Sequence, residues 1–571
     1  MRSLATIMVT SLVLLSFLLA CAQPAPTAAP TKPPAPAVAT TAPAPPAATK
    51  PAVAAPTSVA TKPATAAPTA APVAKIKRGG TIVSSYHASR DTLDLKLSRV
   101  DGHGLGILMY DTLLRLDLVD PAGKFEPKGE LAESWSVPDP KTVVLKLRKG
   151  VKFHDGTDFD AEAAKYNIDR MMKHPQSTGK LLLAEVTSVE APDPQTLRLI
   201  LKQPSPVIFH KLTQAWGGVG SGAPGMMSKA ATEKQGDNIG SQPVGSGPFQ
   251  FDRWLRDDRV ILKRFDGYWK MGEDAKPLPY FDRFEERWIP DPAISLVEIK
   301  ARTIQLTTNV EGKDVASVKS DPNLTYYELP WCGISFFAAA LNAKTGPFIN
   351  NLKLRQAAFH AIDRESMAKV LGFGLGIPMY YLYWTKGQLG YDESLPRYNY
   401  DAEKSKKLLA EAGYPQGLDI SLDFISRPED QRIAEIAKDM WDKVGIRTTL
   451  SAMERLAWLD KMKTCNYETN FARMSSSPDP DGHSRLIVTG GGANYICGSW
   501  PEVDKCMEEG RTTYEPAKRH EIYKRCITIM YENAHATTGY TRPDNFIYPK
   551  YVMGIRPQWQ FPDLKEAWLN Q

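Results

Sequence analysis

Apolar and polar positions alternate most regularly in residues 129–170. Within this stretch, Thr142–Leu147 places three apolar side chains on one face, which predicts a half-buried strand. The preceding residues, from Gly129 onward, predict a helix-like start. Asp139-Pro140 predicts a turn between the two elements, because the residue before a proline is pushed out of the α region.

The second half of the same stretch predicts a tight turn followed by a capped helix. Asp155-Gly156 is a turn dipeptide. Asp160 can accept a hydrogen bond from the first turn of the next helix, and Phe159 before it is placed as a hydrophobic staple. Residues 129–170 therefore predict a compact α/β unit.

Patterns of the same two kinds recur along the chain and predict an α/β protein. Asp363 predicts a further helix cap. The glycines at 245 and 247 predict a structural turn rather than a phosphate loop, since no strand–loop–Lys/Ser–helix context follows them. The predicted strands lie within residues 79–83, 196–201, 336–342 and 446–450, a hairpin with a charged tip within 243–269, and helices within 101–114, 354–371, 400–414 and 431–444.

The amino terminus has the pattern of a bacterial export signal. Arg2 is followed by an almost wholly apolar run over residues 4–20, which is signal-peptide length and marginal for a bilayer-spanning helix. The run ends in Leu-Leu-Ala-Cys, which resembles a lipobox and favours lipidation of Cys21. An uncleaved anchor helix and a signal with an incidental cysteine are the alternatives.

Residues 22–74 consist almost entirely of Pro, Ala, Thr and Val, with scattered lysines and no acid or aromatic residue. Such a segment buries too little apolar surface to offset its ordering entropy, so we expect a disordered tether. A glycosylated, mucin-like stalk is the alternative. In either form, the segment holds a folded body away from a membrane.

The charge of the chain argues against a nucleic-acid partner. The formal net charge is +6, and four of the positive charges fall within residues 1–74, which carry no acid, so the remaining body carries +2. That body of nearly five hundred residues is long enough for two or three lobes. Beyond Ala20, no apolar run is long enough to span a bilayer.

Five further cysteines follow Cys21, and their spacing does not predict a zinc site. Cys497 and Cys506 can bridge a short loop in an oxidising compartment, with buried free thiols as the alternative. An odd count leaves at least one thiol unpaired within the chain. These cysteines are Cys332, Cys465, Cys497, Cys506 and Cys526.

Several stretches together resemble one known family. Residues 129–170, 243–269, 354–371 and 400–414 are similar, in the same order, to the bacterial extracellular solute-binding proteins of family 5, the peptide/nickel-type substrate-binding lipoproteins of ABC importers. The resemblance implies a periplasmic-binding-protein-like α/β fold with two lobes, an extra subdomain and a two-strand hinge. It implies lobe I in residues 75–115, 241–329 and 536–571, the extra subdomain in 116–240, and lobe II in 330–535.

The same resemblance implies a function without catalysis. We expect a monomeric, lipid-anchored receptor outside the cytoplasm that captures a peptide or peptide-like solute by hinge closure and delivers it to membrane permease subunits. No cofactor is implied, and the chain has no GxSxG or HExxH motif. His154 is expected to make a structural hydrogen bond. A non-peptide solute (an oligosaccharide or a small anionic or aromatic compound) and a non-transport sensor or adhesin are the alternatives.

The resemblance also implies where the ligand binds. His87, Ser89 and Arg90 fall in the loop that borders the family's cleft, with a solvated loop as the alternative. Aromatic residues crowd the loop after residue 376 and can stack on a ligand or pack against their own lobe. These aromatic residues are Tyr380, Tyr381 and Trp384, and Tyr540 and Arg542 are weaker candidates near the second crossover.

One loop departs from the pattern of peptide-binding relatives. Counting back from Asp479, the aspartate that neutralises a peptide's ammonium falls on Ser476, beside Met474 and Ser475. The family's tryptophan falls on Arg473, which suits a carboxylate, a phosphate or sugar hydroxyls, unless it pairs with a structural acid. Asp479 and Asp481 are expected to cap the loop. We therefore expect these residues to determine which ligand the protein binds.

Overall fold

The computed structural model describes residues 75–571, except for residues 88, 99–102, 121–123, 181, 214–223, 309, 476, 478, 492–493, 495 and 559–560. It describes only the backbone at residues 103, 120, 124, 330–340, 456, 472 and 474–475. The predicted signal peptide, the lipidation of Cys21 and the tether lie outside the described residues, as does Ser476. In the part of the chain that is described, no helix has the length and apolar character needed to cross a bilayer.

The elements alternate along the chain and are numbered here in chain order. The strands are β1 (Thr81–Tyr86), β2 (Leu114–Asp120), β3 (Lys124–Gly129), β4 (Ala132–Asp139), β5 (Thr142–Leu147), β6 (Val186–Asp193), β7 (Thr196–Leu201), β8 (Phe249–Leu255), β9 (Arg259–Arg264), β10 (Arg283–Trp288), β11 (Thr307–Thr308), β12 (Leu324–Leu341), β13 (Ile377–Pro378), β14 (Leu418–Ile425), β15 (Ile446–Met453), β16 (Thr469–Ser475), β17 (Ala536–Thr538), β18 (Tyr540–Pro549), β19 (Val552–Met553) and β20 (Trp568–Leu569). The helices are α1 (His103–Met109), α2 (Ala161–Lys173), α3 (Ile208–Lys211), α4 (Lys229–Gln235), α5 (Pro292–Lys300), α6 (Gly312–Lys319), α7 (Leu352–His360), α8 (Arg364–Leu371), α9 (Ala402–Glu411), α10 (Pro428–Asp442), α11 (Arg455–Lys463), α12 (Ser484–Ile487), α13 (Pro501–Thr512) and α14 (Pro516–Glu532).

Three sheets carry the main packing. The first is β1-β10-β9-β8, in which β1 pairs parallel with β10 and the predicted hairpin supplies β8 and β9. Asp257 at the hairpin tip has a positive φ of 56°, which suits a tight turn. The buried side chains of this sheet, including Phe249 and Phe284, pack with Phe281 and with those of α1 in one core.

The second sheet, β4-β5-β7-β6, contains the regular stretch of the sequence. Strand β5 has the predicted bounds, and Asp160 accepts a hydrogen bond from the Ala163 N–H at 2.9 Å, so the capped helix α2 is confirmed. The predicted helix-like start is wrong, because residues 132–139 form β4 and pair antiparallel with β5. Cross-strand packing of Trp135 opposite Leu145 has overridden the local preference of this segment.

The third sheet has the order β11-β18-β12-β16-β14-β15 and holds the largest core of the second half of the chain. Strands β14, β15 and β16 run parallel, and α7, α9 and α10 cover them. The helix cap predicted at Asp363 is confirmed, because Asp363 accepts from the Ser366 N–H. Gly413, after α9, has a φ of +100°.

Strands β12 and β18 are long and pair with each other on both sides of an interruption. Their antiparallel register runs from Leu324 opposite Pro549, shifts around Cys332 opposite Pro543, and resumes at Ile334 opposite Arg542. Pro543 has no N–H to donate, so the ladder cannot be continuous at this point. Strand β12 is much longer than the predicted residues 336–342, because the sequence on its amino-terminal side alternates too weakly to show a strand.

The carboxyl-terminal segment returns to the first half of the molecule through a buried ion cluster. Lys565 Nζ lies 2.9 Å from Asp111 Oδ1 and 2.5 Å from Glu130 Oε1. Burial alone would raise the pKa of Glu130, but the charge of Lys565 holds it below its usual value. The start of the regular stretch is thus tied to the end of the chain.

The disulfide pairing differs from the predicted bridge between Cys497 and Cys506. Cys465 pairs with Cys497, and Cys506 pairs with Cys526. The second bridge joins α13 to α14, which pack side by side, and this proximity is not visible in the spacing of the cysteines.

Candidate functional site

Arg473 on β16 lies between two acids at the start of α10. Its Nη1 is 2.8 Å from Glu429 Oε2, and its Nε is 2.7 Å from Asp430 Oδ1. Asp430 is buried, and burial raises its pKa against the opposing charges of Arg473 and Arg427. Of the two alternatives for Arg473, the ion pair with a structural acid is therefore the one that the structure contains.

Strand β18 brings two further predicted residues to the same place. Arg542 Nη1 lies 3.6 Å from Glu429 Oε1, so this carboxylate stands between two arginines. Tyr540 is fully buried nearby, and burial raises the pKa of its hydroxyl. Arg473, Arg542 and Tyr540 thus meet at the edge where β18 and β16 flank β12.

Sequence reasoning missed Glu429. An acid in the first turn of a helix is ordinarily explained by the helix dipole, so its position after Pro428 gave no separate signal. The side chain of Glu429 keeps 24% of its surface exposed, whereas the carboxylate of Asp430 keeps 5%. Glu429 is therefore the accessible acid of this cluster.

The predicted rim residues lie on the loop after β1. His87 and Ser89 are exposed, which fits both the rim position and the solvated loop. Arg90 is buried instead: its Nε and Nη2 donate to Glu286 Oε1 at 2.9 and 2.7 Å, and its guanidinium lies over the Tyr86 ring. Arg90 holds this loop against β10, and the loop presents His87 and Ser89 to solvent.

The aromatic residues of the loop after residue 376 differ in their burial. Tyr381 is buried and donates to the Leu395 carbonyl at 2.9 Å, and Trp384 is buried and donates to the Leu389 carbonyl at 3.1 Å. Their polar atoms are satisfied inside their own core, which is the packing alternative. Tyr380 is only partly buried, and its hydroxyl donates to Glu365 at 2.8 Å.

Backbone pairing with β12 and a helix cap at Asp479 hold the two ends of the loop that departs from the family pattern. Met474 and Ser475 pair through their backbones with Ser335 and Ile334 of β12, which places the loop at the interruption of the crossover strands. Asp479 caps the 3-10 helix Pro480–His483, as predicted, by accepting from the Asp481 N–H at 3.0 Å. The backbone position of the loop is therefore fixed on its carboxyl-terminal side.

Asp479 and Asp481 also hold arginines from the helices α13 and α14. Asp479 accepts two hydrogen bonds from Arg519, at 2.8 and 2.9 Å, and Asp481 accepts one from Arg511 at 2.7 Å. Both carboxylates are buried, and each accepts at least two hydrogen bonds, since Asp481 also accepts one from the Ser484 hydroxyl. Their roles are structural.

His154 makes the structural hydrogen bonds predicted for it. Its Nδ1 accepts from the Gly245 N–H at 3.1 Å, and its Nε2 donates to the Gly247 carbonyl at 2.9 Å. A side chain at Gly247 would meet the Leu108 carbonyl at 2.4 Å, so glycine is required there. Burial lowers the pKa of His154 to about 4, which keeps the ring neutral at physiological pH.

The cluster at the crossover strands is suited to binding. The Glu429 side chain, 24% exposed and between two guanidinium groups, can accept hydrogen bonds from a ligand's ammonium, and the arginines can donate hydrogen bonds to a ligand's carboxylate. In the described part of the chain, no group of three or more His, Cys, Asp or Glu side chains is arranged to hold a metal ion.

Comparison with known proteins places these features in context. Residues 126–495 match the family model described as bacterial extracellular solute-binding proteins, family 5 (middle). The glutathione-binding protein GsiB of Escherichia coli is 28% identical over 433 residues, covering 71% of this chain and 79% of GsiB.

Solved structures show the same architecture. DppA from Helicobacter pylori in complex with the peptide STSA matches 87% of this chain and 99% of its own, with a TM-score of 0.73 and 22% identity. AgaA from A. tumefaciens R10 in complex with agropinic acid matches 86% of this chain and 99% of its own, with a TM-score of 0.72 and 25% identity. These likenesses confirm the predicted two-lobed binding-protein fold.

Proposed function

The chain belongs to the bacterial extracellular solute-binding proteins of family 5, and from this membership we propose that it captures a peptide or peptide-like small solute by hinge closure and delivers it to a permease. In coarse terms, it is a solute-binding protein of an ABC importer. The family acts outside the cytoplasm, and its members bind ligands rather than convert them. The lipid anchor on Cys21 and the monomeric state are further parts of the proposal.

The crossover pair β12 and β18 carries this proposal. Each half of the pair belongs to a different core: residues 324–328 pack with the elements around α5 and α6, and residues 334–341 lie in the sheet of β14, β15 and β16. The ladder between them is interrupted at Pro543. Two cores that are joined by a pair of interrupted strands can rotate against each other about those strands, which is the requirement for hinge closure.

We propose that the ligand binds where residues 473–479, here called the anchor loop, meet these strands. The contributing residues would be Arg473, Met474, Ser475, Ser476, Tyr540 and Arg542 on one side and His87 and Ser89 on the other, with Glu429 added. Tyr380 is the remaining candidate for stacking, since Tyr381 and Trp384 are buried in their own core. The division into lobes stays a prediction.

Two features bear on the chemistry of the solute. GsiB is named a glutathione-binding protein and DppA was solved in complex with the peptide STSA, which favours a peptide-like solute. Ser476 cannot replace the charge of an aspartate, so Glu429 would have to neutralise a ligand ammonium here. Because Glu429 already stands between Arg473 and Arg542, we expect a ligand that also presents a carboxylate.

A small anionic, non-peptide solute is the second candidate. The two arginines favour it directly, and AgaA, 25% identical, was solved with agropinic acid. Such a ligand would not need an acidic anchor, which agrees with serine at position 476.

Mass spectrometry of the solute released by denaturing the purified full chain tests the proposal. We expect a single class of small solute that bears both an amine and a carboxylate. A solute without an amine would support the second candidate instead. Recovery of no bound solute, together with no binding from a library of short peptides and small acids, would contradict solute capture altogether.

A further inference from the structure

A buried ion network joins two parts of the molecule that have separate cores. Lys211 ends the short helix α3, which packs with the second sheet, and its Nζ lies 2.7 Å from Glu185 Oε1 in that same body. The same Nζ lies 3.3 Å from Asp481 Oδ2, in the 3-10 helix that follows the anchor loop. The side chain of Lys211 is 7% exposed and that of Asp481 is 2% exposed.

The Lys211–Asp481 pair is supported by two neighbouring contacts. Gln203, which follows β7, donates from its amide nitrogen to Glu508 on α13. The hydroxyl of Tyr514, after α13, lies beside the backbone of Ser205. All three contacts link residues 203–211 to residues 481–514, and these two segments pack in different hydrophobic cores.

Lys211 and Asp481 each have a second partner of opposite charge in their own part of the molecule. Lys211 has Glu185, and Asp481 has Arg511 at 2.7 Å and the Ser484 hydroxyl at 2.9 Å. Burial would lower the pKa of Lys211, but the charges of Asp481 and Glu185 hold it above its ordinary value. A buried charge that loses its sole partner is strongly destabilising, whereas these charges are each still paired after separation.

We propose that Lys211 is a positioning residue for the ligand-binding loop: by engaging Asp481, it holds residues 479–481 in place only while the two bodies are together. The anchor loop would thus be completed by closure rather than preformed. Since each side is neutralised on its own, the contact can open and close repeatedly. This inference rests on the proposed hinge closure and needs no knowledge of the ligand.

Hydrogen–deuterium exchange of the full chain as purified, with no step that strips its solute, tests the inference with three variants. Lys211→Met should accelerate exchange by about tenfold in peptides from both segments, residues 203–213 and Pro501–Thr512, because the contact between them is lost. Lys211→Arg should restore near-wild-type exchange in both. Lys173→Met, which removes an exposed lysine of the same body that pairs with Asp169, should change neither.

The readout separates positioning from a local structural role. Faster exchange confined to residues 185–213, with Pro501–Thr512 unchanged, would overturn the inference, because Lys211 would then support only its own body. Faster exchange that also reaches β14 and β15 would mean global destabilisation and would overturn it too. If Lys211→Met does not fold, Gln203→Ala must raise exchange in Pro501–Thr512, and no change there would refute the contact.

Failure of this test leaves the proposed function intact, since solute capture is measured separately by mass spectrometry. Failure to find a solute would likewise leave the exchange result unaltered. The two experiments therefore distinguish a failure of this inference from a failure of the proposed function.

Discussion

At the scale of single residues, the ion pairs of Arg473 decide which ligand groups the anchor loop can accept. One of its partners, Asp430, is buried and structural, and the other, Glu429, keeps an accessible surface. Arg473 therefore supports the fold and faces the proposed site at the same time. Its removal should affect both.

Arg473→Leu should lower the free energy of unfolding by about 3 kcal/mol, because Asp430 would be left buried with only Arg427, 4.0 Å away, to neutralise it. Urea unfolding of the full chain measures this loss. The matched control is Arg447→Leu, which breaks an exposed pair with Asp419 on neighbouring strands and should cost much less than Arg473→Leu. Equal losses in the two variants would contradict the structural role of Arg473.

The sequence made Arg473 a candidate but could not find its partner. The two residues lie 44 positions apart, and only the packing of α10 against the sheet brings Glu429 to β16. For the same reason, sequence reasoning could not decide whether Tyr381 and Trp384 face a ligand or a core. Residue type is visible in the sequence, whereas partners at long range are set by tertiary structure.

At the scale of elements, His154 clamps the turn of the regular stretch to the glycine turn before β8. Both ring nitrogens are used, and the ring is neutral because burial lowers its pKa to about 4 from an ordinary value of 6.5. Between these two pH values the unfolded chain binds more protons than the folded protein. The folded state therefore loses stability as the pH falls from 6.5 to 4 and gains nothing further above 6.5.

His154→Gln should flatten this dependence. A single such group contributes about 1.4 kcal/mol per pH unit within the window, so the difference in slope between the wild type and the variant is measurable by urea unfolding at pH 7, 6, 5 and 4. His87→Gln, at an exposed histidine, is the control and should keep the wild-type slope. A slope unchanged by His154→Gln would show that this ring is not buried and neutral in the folded protein.

Elements with a strong local signal were predictable, and those defined by their neighbours were not. The alternation in β5 and the cap at Asp160 are properties of the local sequence, and both are confirmed. Strand β4 was mistaken for a helix because its pairing with β5, rather than its own composition, makes it a strand. The disulfide between Cys506 and Cys526 likewise depends on the contact between α13 and α14.

At the scale of the whole molecule, the proposed hinge closure requires two bodies that move about β12 and β18. The family resemblance supplied this architecture before the structure did, because several stretches matched in order. The physical reason for a hinge became visible only in the strand register, where the ladder is interrupted opposite Pro543. In the proposal made above, the contact of Lys211 with Asp481 would transmit closure to the anchor loop.

Small-angle X-ray scattering from the full chain, stripped of solute and titrated with the solute released from it, tests the central claim most directly. Closure about the crossover strands predicts a radius of gyration that decreases on titration and saturates at one solute per chain. A radius of gyration that stays constant at saturating solute would contradict capture by hinge closure.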